Sequence, residues 1–315
     1  MSMPKVSVIG AGNVGATTAH LIALKGLADV TLIDVVEGLP QGKALDMSQS
    51  SAVEGFSVHV QGSNDLAALE GSRVVVITAG MARKPGMSRD DLLAANVGIV
   101  GPIADKIKQV APQAIVIVVT NPLDVMTALV LERTGFPRAR VMGMAGVLDT
   151  ARLRTFIGMR LGVPPSDVQA MVLGSHGDLM VPIRSSITVQ GMPVTSLIPS
   201  ADLEQILQRT KDGGAEIVKL LKQGSAYYAP ASSAVEMVSA ILRDAHRILP
   251  ACVKLTGEYK LRDVCMGVPV QLGAAGVERV VELKLDAADE KALQACAEQV
   301  RVMIAGLSQV AGKTS

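Results

Sequence analysis

The chain has 315 residues, 49% of them hydrophobic, with three Phe, three Tyr, no Trp and a formal charge of +1. That length exceeds the roughly 250 to 300 residues at which a single core stops growing, so two packed units are expected. Sparse aromatics and near-neutrality exclude a stacking platform or basic stripe for nucleic acid, and no apolar run approaches the ~18 residues that would span a bilayer.

In chain order, β-branched apolar runs at 5–9, 30–33, 73–78 and 114–120 each precede a longer segment of helical period, with a weaker third strand near 58–60 that includes His59. That alternation predicts a doubly wound parallel sheet with both faces covered, an α/β fold class. Around 141–146 the pattern changes, and a boundary at Ala145 divides the chain into units 1–145 and 146–315. The second unit reads as α+β. It has a helix at 150–161, a strand at 169–173, and a hairpin within 187–194 about Gln190-Gly191. Helices at 204–222 and 231–247 follow, then a run at 252–256, a hairpin turning at Gly273-Ala274-Ala275-Gly276, and a closing helix at 287–307. Met1 to Pro4 leads straight into the first strand and leaves no room for a secretory signal. Cys252, Cys265 and Cys296 match neither a metal knuckle nor a disulfide framework, so structural thiols, no metal site and a cytoplasmic location are expected.

The first strand ends in Gly10-Ala11-Gly12-Asn13-Val14-Gly15, a G-x-G-x-x-G that opens a helix. Its first glycine permits the tight turn, its second the approach of a pyrophosphate, and its third close packing of helix on strand. Asp34 ends the second strand about 20 residues further on, the spacing of a carboxylate that binds an adenosine ribose. No Arg or Lys neighbours Asp34 in sequence to accept a 2′-phosphate, which favours NAD over NADP.

Histidines are few. His20 falls in the first helix, His59 in the weak strand, and His246 in a last helical turn where the dipole favours a cation. His176 differs, because Leu173-Gly174-Ser175-His176-Gly177-Asp178 surrounds it with small residues just past a strand. On local grounds it reads equally as structural or functional. Asp149 and Arg152 share a helix face, as either a surface ion pair worth about 0.2 to 0.5 kcal/mol or something more. Thr120-Asn121-Pro122 sets an amide at the carboxyl edge of the sheet, where ligands bind in doubly wound folds, or else makes a simple turn before proline. The segment Met81 to Asp91 places Arg83, Lys84 and Arg89 on a loop after a buried strand, which suits an anionic substrate. Pro85-Gly86 reads as a turn, and Ser88 with Asp91 as a capping box. Arg89 then opposes the macrodipole in the first helical turn, at a cost of only ~0.3 to 1 kcal/mol.

Taken together these motifs resemble the lactate/malate dehydrogenase family, and within it the malate dehydrogenases of lactate-dehydrogenase-like sequence. The resemblance rests on GAGNVG with Asp34, ARKPGMSRDDL from Ala82, TNPLDV from Thr120, GVLDTARLR from Gly146, GSHGD from Gly174 and GSAYYAPASS from Gly224. It implies a Rossmann domain binding NAD, with Gly10, Ala11, Gly12, Asn13, Val14, Gly15, Asp34, Asn96, Val119 and Asn121 at the cofactor. It further implies His176 as proton donor and acceptor, Asp149 as its orienting partner, and Arg152 on the C1 carboxylate of the substrate. Arg89 polarises the reacting carbonyl, Asn121 bonds nearby, and Arg83 takes a distal carboxylate. Lactate dehydrogenases usually carry glutamine at the Arg83 position, so the resemblance points to malate and oxaloacetate, a homodimer or homotetramer, and the tricarboxylic acid cycle. An L-lactate or other 2-hydroxy-acid dehydrogenase is the alternative, and a non-catalytic nucleotide sensor would be expected to have lost part of the His176, Asp149 and Arg89 set. The chain departs from the family where Ser175 replaces a usual glycine and Leu179 a small hydroxyl residue, both beside His176.

Overall fold

A computed structural model describes residues 3–81 and 88–311. The first half alternates strand and helix: β1 (Lys5–Ile9), α1 (Asn13–Leu24), β2 (Asp29–Ile33), α2 (Leu39–Glu54), β3 (Val60–Ser63), β4 (Val74–Ile77), α3 (Arg89–Val110), β5 (Ile115–Val118), α4 (Leu123–Thr134) and β6 (Val141–Gly143). The second half begins with α5 (Gly146–Leu161), β7 (Val168–Gln169), β8 (Val172–Gly174), β9 (Met180–Pro182), β10 (Thr188–Val189) and β11 (Met192–Pro193). It ends with α6 (Ser200–Leu221), α7 (Tyr228–Leu242), β12 (Arg247–Thr256), β13 (Arg262–Gly273), β14 (Gly276–Val280) and α8 (Ala287–Ala311).

Strands β3-β2-β1-β4-β5-β6 form a parallel sheet in that order, reversing direction of travel at β1/β4. Strands β1, β4 and β5 are almost wholly buried, as a parallel sheet covered on both faces requires. One face packs α1 and α7 through Ile22, Val235 and Val238, and the other packs α3 and α4 through Val100, Ile107, Met126 and Val130. The sheet continues into the second half, where Cys252 of β12 pairs antiparallel with Gly143 of β6 and Gly267 of β13 with Gly174 of β8. Glycine is needed at the second junction, since a Cβ on Gly267 would lie 2.6 Å from the Gly174 carbonyl oxygen. A smaller sheet, β11-β10-β7, closes a third core with α5 and α6. No helix among the described residues is long and apolar enough to cross a membrane.

Several boundaries differ from the sequence expectations. The third strand is displaced to Val60–Ser63, leaving His59 just outside it with its N–H donated to Asp29 Oδ1 at 2.8 Å. The expected strand at 169–173 is two strands in different sheets, β7 and β8, and Met171 between them donates its N–H to Ser186 Oγ at 3.0 Å. Helix α7 starts before Pro230, which the first turn tolerates because it needs no internal N–H partner. It also stops at Leu242, because Arg247 already pairs with Leu272 in the long β12/β13 ladder. His246 is therefore not in a helical turn. It is exposed at φ 50°, with Nδ1 2.9 Å from Glu278 and Asp244 beyond its other nitrogen, and the hydrogen bond to Glu278 raises its pKa.

The three cysteines are free and buried. Burial pushes the Cys265 thiol up to about 12 and the Cys296 thiol to about 11, which removes the thiolate that alkylation and disulfide exchange require. Titration with a disulfide reagent is expected to find no fast-reacting thiol in the native chain and all three after denaturation. A single fast thiol in the native state would contradict this packing.

Candidate active site

Parallel strands β1, β2, β4, β5 and β6 deliver their following loops to one edge of the sheet. At the end of β1, Gly10 has φ 101° and a Cβ there would lie 2.7 Å from Ala79 N. A Cβ on Gly15 would lie 1.8 Å from the Gly10 carbonyl oxygen, so helix α1 can seat against the strand only as glycine. Gly12 is the contrast: nothing lies within 4 Å of its Cβ position, and as N-cap of α1 it supplies no side-chain cap. Bare helical N–H groups facing an approach without side chains suit a pyrophosphate. Asp34 is anchored beside them, Oδ2 accepting from Ala11 N–H at 2.6 Å and Oδ1 from Val36 N–H at 3.0 Å. These residues fit a dinucleotide. Sequence neighbours missed one cation here: Lys43, from α2, donates to the Ala11 carbonyl at 2.6 Å and is engaged in holding the glycine-rich turn.

Asn96 is fully buried on α3. Its Oδ1 accepts from Met81 N–H at 2.7 Å, and its Nδ2 donates to the carbonyls of Met81 at 3.2 Å and Asn121 at 2.6 Å. Its side chain is thus spent on backbone, tying the base of the 82–87 segment to the loop after β5. Asn121 is exposed at that loop, and Val119 continues the ladder by donating its N–H to Ile77 O at 2.8 Å. The capping box forms as expected, Ser88 Oγ accepting from Asp91 N–H and Asp91 Oδ2 from Ser88 N–H, each at 3.0 Å. Helix α3 begins at Arg89. Arg83 with the Pro85-Gly86 turn, and the side chain of Arg89, lie outside the described residues.

Helix α5 begins at Gly146, a turn earlier than its sequence suggests. A Cβ on Gly146 would lie 2.6 Å from Pro250 Cβ and 2.7 Å from Val172 O, so the helix start is wedged between β12 and β8. Thr150 Oγ1 accepts from Val172 N–H at 3.1 Å and fixes its rotation. The consequence is that Asp149, which by local sequence could have been half of a surface ion pair, is buried at 1% exposure. Asp149 Oδ2 lies 3.0 Å from His176 Nδ1, and Oδ1 lies 3.5 Å from Arg152 Nη1. Burial lowers the Arg152 pKa against the support of Asp149. For His176, burial pulls the pKa down, but the charge and hydrogen bond of Asp149, aided by Asp124, outweigh burial and the opposing Arg152, so the net direction is up.

Arg152 is 12% exposed, and its Nε is buried with no hydrogen-bond partner among the described residues. A guanidinium held this way is prepared to receive a carboxylate in a planar fork. Room for it comes from Gly213 and Gly214 of α6, since a Cβ on Gly213 would lie 3.1 Å from Arg152 Cδ. Sequence reading missed this pair, although two glycines inside a helical run are a signal of close approach. It also passed over Asp124 within the Thr120 motif. The departure at Ser175 does not turn the His176 ring from Asp149; the serine hydroxyl bonds Asp124 Oδ2 at 2.5 Å instead.

Two family models match the chain: lactate/malate dehydrogenase, NAD binding domain, over residues 4–143, and lactate/malate dehydrogenase, alpha/beta C-terminal domain, over 146–309. A malate dehydrogenase from Thermomicrobium roseum is 52% identical over 97% of this chain and 99% of its own. The solved malate dehydrogenase from Salinibacter ruber is 49% identical with a TM-score of 0.94, covering 99% of this chain and 100% of its own. A lactate dehydrogenase from Cryptosporidium parvum, solved with lactic acid and β-nicotinamide adenine dinucleotide, is 40% identical with a TM-score of 0.95 over 98% of this chain and 99% of its own. With both halves of its length matched, and with a relative more than half identical over nearly all of it, the chain belongs to the lactate/malate dehydrogenase family.

Proposed function

We propose that the chain catalyses the reversible NAD-dependent oxidation of L-malate to oxaloacetate. The observation that carries this is the buried set of His176, Asp149 and Arg152, an acid/base beside a guanidinium whose Nε has no hydrogen-bond partner among the described residues, in a chain similar to malate dehydrogenases. NAD, when bound, accepts the hydride lost from C2 of malate. Gly10, Ala11, Gly12, Asn13, Val14 and Gly15 would hold its pyrophosphate and Asp34 its adenosine ribose, with Val119 and Asn121 contributing from the β5 edge and Asn96 acting through the backbone it pins. Arg152 binds the C1 carboxylate and sets C2 before the imidazole. His176, with Nδ1 committed to Asp149, uses its other nitrogen to take the C2 hydroxyl proton during oxidation and return it during reduction. Asp149 keeps the ring in that orientation and stabilises its charged form. Arg89 polarises the carbonyl, and Arg83 pairs with the distal carboxylate.

The fold does not choose between malate and lactate, since solved examples of both match it closely. The choice is assigned to Arg83, where lactate dehydrogenases usually have glutamine. We further infer a division into units 1–145 and 146–315, a homodimer or homotetramer, a cytoplasmic location, and service in the tricarboxylic acid cycle. The family matches over 4–143 and 146–309 support the division.

Initial rates of NADH oxidation with oxaloacetate and with pyruvate test the substrate. Pyruvate would leave Arg83 desolvated and unpaired, a loss of roughly 2 to 5 kcal/mol, so kcat/KM is expected to favour oxaloacetate about thirtyfold to several thousandfold. Comparable rates with pyruvate would move the chain to the lactate reading. Arg83→Gln is expected to shift preference toward pyruvate, and full retention of oxaloacetate selectivity would remove Arg83 from the role. Because Asp149, against the pull of burial, holds the His176 pKa above its ordinary value, reduction, which needs the imidazolium, is expected to fall in alkali, at a higher pH than for a free imidazole. Oxidation needs the neutral ring and falls in acid. Profiles of the same sign in both directions would rule out His176 as the proton carrier.

A further inference from the structure

Close to His176 lies a second buried acid that the proposed mechanism does not use. Asp124 stands in the first turn of α4 at 3% exposure. Its Oδ2 accepts from the Ser175 hydroxyl at 2.5 Å, and Oδ1 is buried without a well-formed hydrogen bond among the described residues. The His176 backbone N–H and the Cys252 thiol both face the carboxyl. Ser175 is itself tethered from the other side, its N–H donated to Cys296 Sγ of α8 at 3.1 Å. Ser175 and His176 are adjacent, so the loop carrying the imidazole is fastened to α4 through one side chain and to α5 through the next.

We propose that Asp124, seated by the Ser175 hydroxyl, is a positioning residue that holds the His176 loop and supplies a second negative charge to the imidazolium. The inference rests on the reading of His176 as the acid/base. Charge balance supports it. Among the described residues, the charged groups that act on His176 are Asp149 and Arg152 from α5 and Asp124 from α4; Asp178 stands two residues along the same loop and has an interaction of its own, and the buried thiols Cys252, Cys265 and Cys296 surround Asp124. Asp149 supports the imidazolium charge and Arg152 opposes it, and the Asp124 carboxylate adds a second supporting anion. Burial raises the Asp124 pKa on balance, and the donors Ser175 and Cys252, with His176, act against that rise. Removing the Ser175 hydroxyl therefore raises the Asp124 pKa further and leaves less of the carboxyl ionised, and the neutral acid offers the imidazolium no charge. Glycine, which the family usually has at this position, has no hydroxyl to give.

The test is the titration of His176 in the full-length enzyme, followed by imidazole proton resonances and by the pH profiles of both reaction directions. Asp124→Asn is expected to lower the His176 midpoint by about half a pH unit or more, as loss of a nearby opposite charge does. Ser175→Ala, a smaller change that stands alone should the Asn variant fail to fold, is expected to lower it in the same direction. The double variant should match Asp124→Asn, since the serine acts through the carboxylate. An unchanged midpoint in Ser175→Ala or in Asp124→Asn would overturn the proposal, and so would additive effects in the double variant. His176→Gln separates the two claims. If that variant keeps wild-type turnover, the acid/base reading itself fails; if turnover collapses while the Asp124 and Ser175 variants titrate like wild type, only the coupling fails.

Discussion

The site depends on one constraint: a carboxylate at 1% exposure must be balanced. Asp149 cannot be left in the interior without partners, since an uncompensated buried charge costs about 3 to 5 kcal/mol. It is balanced by His176 on one oxygen and Arg152 on the other, brought from β8 and from one turn along α5. Satisfying Asp149 therefore also orients an imidazole and aims a guanidinium. The wedge at Gly146, the Thr150 bond to β8 and the space left by Gly213 keep these three side chains in register. Each is a packing feature, yet each has its effect at the proton and the carboxylate.

At the nucleotide edge the organising force is backbone hydrogen bonding. Asp34 is held by the Ala11 and Val36 amides, and Lys43 fixes the opposite side of the same turn through the Ala11 carbonyl. Asn96 does similar work across the sheet, joining the Met81 and Asn121 loops with a buried amide whose acceptor and donors are all used. That framework does not set the substrate, since a solved malate dehydrogenase and a solved lactate dehydrogenase both match the fold closely.

Much of this was determined by the sequence alone. The alternation of buried strands with helical segments specifies a doubly wound sheet, because β-branched apolar runs of that length are stable only when covered on both faces. The glycine spacing, Asp34, the Ser88 capping box and the tight turns at Gln190-Gly191 and Gly273 to Gly276 are local chemistry, in which a few neighbouring residues fix the backbone. Tertiary structure decided the rest. Helix α5 begins at Gly146 because packing on β8 and β12 overrides the low helix propensity of glycine. The 169–173 run divides because its ends belong to different sheets, and α7 stops at Leu242 because β13 claims the following strand. The burial of Asp149, the space for Arg152 at Gly213, and the Ser175 to Asp124 bond join residues far apart in the chain. Such long-range pairings are fixed only when the elements pack, since no spacing or periodicity in the sequence encodes them.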